Sequence, residues 1–166
     1  PQNDTFNSLL MVKELAQASG SRGMAGGQAL DMAAIGQDLN LAELENMHIH
    51  KTGALIRASV RLGMLSAPAV DQPSGKQLDR YAECIGLAFQ VQDDVLDVTG
   101  DPKRIGKTQG KDAANNKPTY PAIVGLKGAN EMTQRLLQEA LDSLQSFDQR
   151  ADSLRQLAHY IVARDC

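Results

Sequence analysis

Apolar residues recur three and four positions apart along most of the chain, the period of helices buried on one side. Phe6, Leu9, Leu10 and Leu15 open a first helix, which runs into the glycine-bearing stretch GSRGMAGG, and a second follows through GQALDMAAIG. The third has the clearest start. In NLAE, Asn40 stands as N-cap with Glu43 three residues on, a near capping box. Leu44, Met47, Leu55, Ala58 and Leu62 then stripe this helix as far as Leu65. APAVDQPSG reads as a loop, after which Ser74 caps a fourth helix striped by Leu78, Tyr81, Ile85, Ala88 and Val95 and reaching Val98. Residues 99–118 are rich in Gly, Lys, Asp and Asn. A loop of that length in a compact helical fold is usually functional or disordered. Two more helices, around EMTQRLLQEALDSLQSF and SLRQLAHYIVAR, close the chain. No strand-like alternation runs beyond a few residues and no repeat is visible, so the pattern predicts an all-α bundle.

Composition narrows this without redirecting it. The 166 residues suffice for one domain, and with no Trp and only 4% aromatics its core must be built from Leu, Ile, Val, Ala and Met. A net charge of −3 gives no general attraction to nucleic acid or to an anionic membrane. Cys84 and Cys166 suggest neither a disulfide framework nor a metal knuckle, which fits a reducing cytoplasm. No run reaches the roughly 18 apolar residues that span a bilayer, and no signal peptide is visible. The chain starts at Pro1 and enters an amphipathic run almost at once, as part of a longer polypeptide would.

The fourth helix carries the chemistry. Gln90, Asp93, Asp94 and Asp97 fall at i, i+3, i+4 and i+7, one polar stripe, and extending it backward reaches Gly86, where a missing side chain leaves room. These carboxylates sit in the last turns, where each is disfavoured by roughly 0.3–1 kcal/mol against the helix dipole. Like-charged neighbours add roughly 0.2–0.5 kcal/mol per pair. A bound cation relieves that strain. A solvated acidic face would show the same spacing, but the glutamine and the gap at Gly86 favour a site shared with a ligand. Mg²⁺ suits it, taking one or two carboxylates with waters and phosphate oxygens; zinc does not, for want of His or Cys ligands nearby. Lys103, Arg104, Lys107, Lys111 and Lys117 follow, opposed only by Asp101 and Asp112. An ordinary surface loop looks like this too, yet beside the carboxylates it supplies the ammonium groups a diphosphate needs.

GLAFQVQDDVLDVTGD followed by GKTQGKD and NKPTYPAI closely resembles the short-chain trans-isoprenyl diphosphate synthases, the bacterial farnesyl diphosphate synthases most of all. GGQALDM, HKTGALIRASVRLG and the terminal YIVAR agree in order and spacing, so the resemblance covers essentially the whole chain. It implies a helical bundle of the isoprenoid synthase type. It further implies that an allylic diphosphate (dimethylallyl or geranyl) ionises with Mg²⁺ assistance, Mn²⁺ substituting, and is attacked by the double bond of isopentenyl diphosphate to give farnesyl diphosphate. By the same resemblance Asp93, Asp94 and Asp97 form the second aspartate-rich motif, with Asp112 a further metal ligand. Lys51, Lys107 and Lys117 hold the diphosphate, Thr52 and Gln90 face the allylic carbon, and Gln28, Asp31 and Phe89 line the cavity. His48, His50 and His159 are left as surface or packing residues.

Nothing in the sequence corresponds to the family's first aspartate-rich motif, the paired arginines after it or the basic residues for isopentenyl diphosphate. The chain therefore resembles the C-terminal portion of a synthase domain, inactive alone and homodimeric in its full-length form. Two alternatives are a terpene cyclase of the same fold, whose downstream metal motif would mix Asn, Ser or Thr with an acid, and a non-catalytic partner subunit, which would tend to lose the aspartates kept here.

Overall fold

The computed structural model describes residues 2–67, 70–99 and 117–164, the side chains of 2–6 excepted. Among them every regular element is helical. Helix α1 spans Gln2–Ser19, α2 Met24–Ala33 and α3 Leu41–His48; a π-helical turn, Ile49–Gly53, leads into α4, Ala54–Ser66. Helix α5 spans Gln72–Thr99, α6 Tyr120–Ser143 and α7 Asp152–Ala163, the last entered through a 3₁₀ turn at Gln149–Ala151. The all-α expectation holds.

Asn40 caps α3 as its spacing predicts. Its Oδ1 accepts the Glu43 N–H at 3.1 Å while the Glu43 carboxylate accepts the Asn40 N–H at 2.8 Å. The third predicted helix is real but interrupted: the chain widens into a π turn at IHKTG. Two glycines explain why it can. A Cβ on Gly27 would lie 2.1 Å from Lys51 N, so α2 rests its backbone directly on the turn. From the other side, a Cβ on Gly86 would lie 3.2 Å from Gly53 Cα and also meet Ile56. The space beside Gly86 is therefore filled by the π turn and α4 rather than kept open for a ligand. Gly27→Ala, which sets a methyl against backbone that cannot swing aside, should cost about 1–3 kcal/mol. A thermal melt should show it as a Tm lower by roughly 4–10 °C; an unchanged Tm would mean that α2 slides freely over the turn.

Two boundaries differ from the sequence reading. Helix α5 begins at Gln72, and Asp71 rather than Ser74 fills the capping role, its carboxylate accepting the Ser74 N–H at 2.7 Å. Helix α6 begins at Tyr120, a full three turns before EMTQ, with Thr119 as N-cap and Pro at its first positions. Pro121 and Gly125 punctuate like a loop, but proline lacks only an N–H that the first helical turn leaves unpaired, and Gly125 takes a left-handed φ of 74° at a kink inside the helix. At the other end Arg155 donates to the carbonyls of Leu144 and Phe147 at 2.8 and 2.6 Å, placing a cation where the helix dipole is negative.

Helix α5 runs through the centre, lying along α6 and touching α4, the π turn and α7. Ile85, Ala88, Val91 and Val95 of α5 pack with Ala129, Met132, Leu136 and Ala140 of α6 and with Ala158, Ile161 and Val162 of α7. Burying each large aliphatic contributes about 1.5–3 kcal/mol. The aliphatic core expected from composition is joined by two tyrosines, Tyr81 and Tyr120, both almost wholly buried. The Tyr81 hydroxyl ties α5 to α7 by donating to Leu154 O at 2.7 Å.

Candidate functional site

The π turn, the C-terminal half of α5, α2 and the entry to α6 bring most of the predicted residues together. Asp31 is the meeting point. Buried on α2, its Oδ2 accepts from Lys51 Nζ at 2.8 Å and from Lys117 Nζ at 3.3 Å. Burial pushes the Asp31 carboxyl up, but the hydrogen bond and charge of Lys51, then the charge and hydrogen bond of Lys117, outweigh it and hold the group below the usual carboxylate range. Two ammonium groups far apart in sequence thus share one oxygen. Thr52 is half-buried beside Lys51, whereas Gln28 is exposed on α2.

The three helical aspartates do not act alike. Asp93 is about half exposed, 51% for its side chain, and meets only a long 3.4 Å contact from Arg164 among the pairings the structure gives it. The same guanidinium donates to Phe89 O at 3.2 Å and lies over the Phe89 ring, 4.2 Å from its centroid. Asp97 is half-buried one turn on. Asp94 is buried, and its Oδ2 accepts the Tyr120 N–H at 2.9 Å at the start of α6, where the helix dipole favours an anion. No group of three or more His, Cys, Asp or Glu residues converges as a metal cage among the described residues. Asp93 and Asp97, at i and i+4, still fit a hard cation shared with phosphate, which needs only one or two carboxylates. Lys107 and Asp112 lie outside the described residues.

Gln90 is buried on α5 at the same level. Beside it stands His48, which sequence reasoning left as packing. Burial pushes this imidazole down to about 4; the Gln90 amide opposes that, the Lys51 ammonium adds to it, and the Asp31 and Asp93 carboxylates oppose it. Lys51, Asp31 and Asp93 are therefore all close enough to act on one ring. Arg164 was also missed as a site residue, since only the fold brings it from the end of α7 to Asp93. A further cavity of about 670 Å³, lined by Glu14, Arg57, Arg61 and Glu83 among others, contains none of the predicted site residues.

Residues 5–161 match the polyprenyl synthetase family profile. The chain belongs to the polyprenyl synthetase family. It is 48% identical over 168 aligned positions to the farnesyl diphosphate synthase of Escherichia coli K12, covering 99% of this chain and 56% of that one. Among solved structures, an FPP/GFPP synthase from Zymomonas mobilis superposes with a TM-score of 0.81 at 34% identity, covering 94% of this chain and 51% of the other. A geranyltransferase from Helicobacter pylori, crystallised with magnesium and isoprenyl diphosphate, gives 0.79 at 33%, over 95% and 51%. This polyprenyl synthetase chain thus spans little more than half the length of the curated relatives it matches. The resemblance seen in the motifs is borne out at the level of family and fold. No helix among the described residues is long and apolar enough to cross a membrane.

Proposed function

We propose that this chain is the C-terminal portion of a farnesyl diphosphate synthase domain that condenses dimethylallyl or geranyl diphosphate with isopentenyl diphosphate. The observation that carries this reading is the convergence of Lys51 and Lys117 on Asp31. A diphosphate brings more charge than one carboxylate, so both ammonium groups would exchange Asp31 for its oxygens. Asp93 and Asp97, joined by Asp112, would hold Mg²⁺, while Asp94 fixes α5 to the start of α6. When bound there, Mg²⁺ neutralises the diphosphate's charge and favours its departure. The H. pylori relative, whose structure contains magnesium and isoprenyl diphosphate, supports that pairing of ion and ligand. Gln90 and Thr52 turn their oxygen dipoles toward the allylic carbon as it becomes positive, and the released diphosphate accepts the proton lost at the end. The full-length enzyme is a cytoplasmic homodimer in this reading.

Charge at defined positions is the test. In the full-length synthase carrying this chain, Lys51→Gln and Lys117→Gln should each weaken geranyl diphosphate binding about tenfold, roughly 1.4 kcal/mol. Lys127→Gln should leave it unchanged, because that side chain is 91% exposed on α6 and pairs only with Glu131 among the ion pairs the structure gives it. Titration calorimetry with Mg²⁺ present decides the matter. Small, equal effects at all three positions would reduce the first two lysines to a solvated surface.

A further inference from the structure

His48 ends α3, three residues before Lys51. It is 7% exposed, and neither Nδ1 nor Nε2 finds a hydrogen-bond partner among the described residues. Its ring stacks on Tyr120, centroids 5.5 Å apart and planes 25° from parallel, and the Tyr120 hydroxyl is likewise buried without a partner among the described residues. A buried polar atom left unpaired costs about 1–3 kcal/mol, so an imidazole kept in this state calls for a function that packing does not supply. Backbone geometry brings it to Gln90. Helix α5 crosses the π turn where Gly86 faces Gly53; one turn further along α5 is Gln90, and just over one turn back from Gly53 is His48. The Gln90 amide, itself 8% exposed, lies close enough to the imidazole to act on its titration.

We propose that His48 is a positioning residue for Gln90, its lone-pair ring nitrogen accepting a hydrogen bond from Gln90 Nε2 when substrate fills the cavity. This rests on the reading of Gln90 as the amide facing the allylic carbon. A primary amide can present either end, and only the Oε1 end stabilises a developing cation. With Nε2 donating to His48, Oε1 is left pointing into the cavity. The Tyr120 stack fixes the plane of the ring, and Tyr120 is itself anchored through its N–H to Asp94. Charge state matters to the direction of the bond. Burial keeps the imidazole neutral, its pKa pushed down to about 4. An imidazolium has two donors and no lone pair, so it would seize Oε1 and turn the amide's N–H groups toward the cation instead.

Steady-state kinetics of single and double variants in the full-length synthase test this. Gln90→Met probes the underlying reading and should lower kcat about 10²-fold with KM for geranyl diphosphate little changed. His48→Phe keeps the stack on Tyr120 and removes the acceptor; kcat should fall about tenfold, again without a matching change in KM. His48→Gln, which restores an acceptor, should recover part of that loss. The double variant His48→Phe/Gln90→Met should be no slower than Gln90→Met alone, because the two residues act as a unit. His48→Leu, with the same expected split, serves if phenylalanine does not pack. A kcat for both His48→Phe and His48→Leu within about twofold of wild type, or a His48 effect that persists at full size in the Gln90→Met background, overturns the positioning role. Full activity of Gln90→Met overturns instead the reading of the site on which that role rests.

Discussion

Asp93→Ala in the full-length synthase should lower turnover by about 10²–10³-fold while the fold stays intact; Asp94→Ala, one residue away, should act first on stability. The contrast follows from where each carboxylate points. Asp93 is about half exposed, and the largely buried Arg164 guanidinium that approaches it at a long 3.4 Å keeps its hydrogen bond to Phe89 O and its place over the Phe89 ring when Asp93 is removed. In the proposed site the substitution removes a metal ligand needed as the leaving diphosphate gathers charge. Asp94 instead satisfies the buried Tyr120 N–H at 2.9 Å. Its removal strands that donor, costing about 1–3 kcal/mol, and takes an anion from the positive end of α6, a further 0.3–1 kcal/mol or so. Circular dichroism melts should therefore show Asp94→Ala lower by roughly 4–12 °C and Asp93→Ala nearly unmoved. Near-normal turnover of Asp93→Ala at saturating Mg²⁺ would remove the metal assignment. An Asp94→Ala variant that melts like wild type yet is equally inactive would make Asp94 a ligand like its neighbour.

That difference between adjacent aspartates marks the limit of what the sequence states. Spacing places Asp93, Asp94 and Asp97 on one broad helical stripe, but successive residues are about 100° apart around the axis. One is turned to solvent and the other to α6, and only the partner helix reveals which. Local signals carried well. The Asn40–Glu43 box has the donors and acceptors that its residue types demand, and Leu44, Met47 and Ala58 of the predicted stripe are buried. The π turn at Ile49–Gly53 was not legible, because one widened turn shifts the helical phase by a single residue, which scattered apolar positions do not resolve. Gly86 was misread for a related reason. A glycine announces a close approach but not what approaches, and here it is Gly53. Lys51 and Lys117 could be singled out as cations by resemblance, yet their shared hold on Asp31 depends on three elements meeting. His48 carried no signal of its own, since its burial against Tyr120 exists only in the folded core.

The isolated 166-residue chain should give no farnesyl diphosphate and should self-associate in solution. In the proposed function Asp93, Asp97, Lys51, Lys117 and the Thr52–Gln90 pair would form one side of a reaction that needs two substrates held in line. No residues in it correspond to a first aspartate-rich motif or to a cradle for isopentenyl diphosphate. Alignment of two bound reactants can supply roughly 7–11 kcal/mol, and one wall of a site forfeits most of that. The helices before α3 point to association as well. Leu9, Val12 and Leu15 on α1 are 66%, 67% and 49% exposed, and Met32 and Ile35 at the end of α2 are 65% and 51% exposed. Large apolar side chains exposed to this degree on neighbouring helices favour association. The measurements are product formation from geranyl and isopentenyl diphosphates by the purified chain, its mass confirmed, and static light scattering of the same sample. Adding the N-terminal portion of a synthase should lower the scattering mass per chain toward a defined complex and bring activity with it. Robust turnover by a monomer would instead mean that these residues complete the site by themselves, and the division of labour proposed for the two halves would fall.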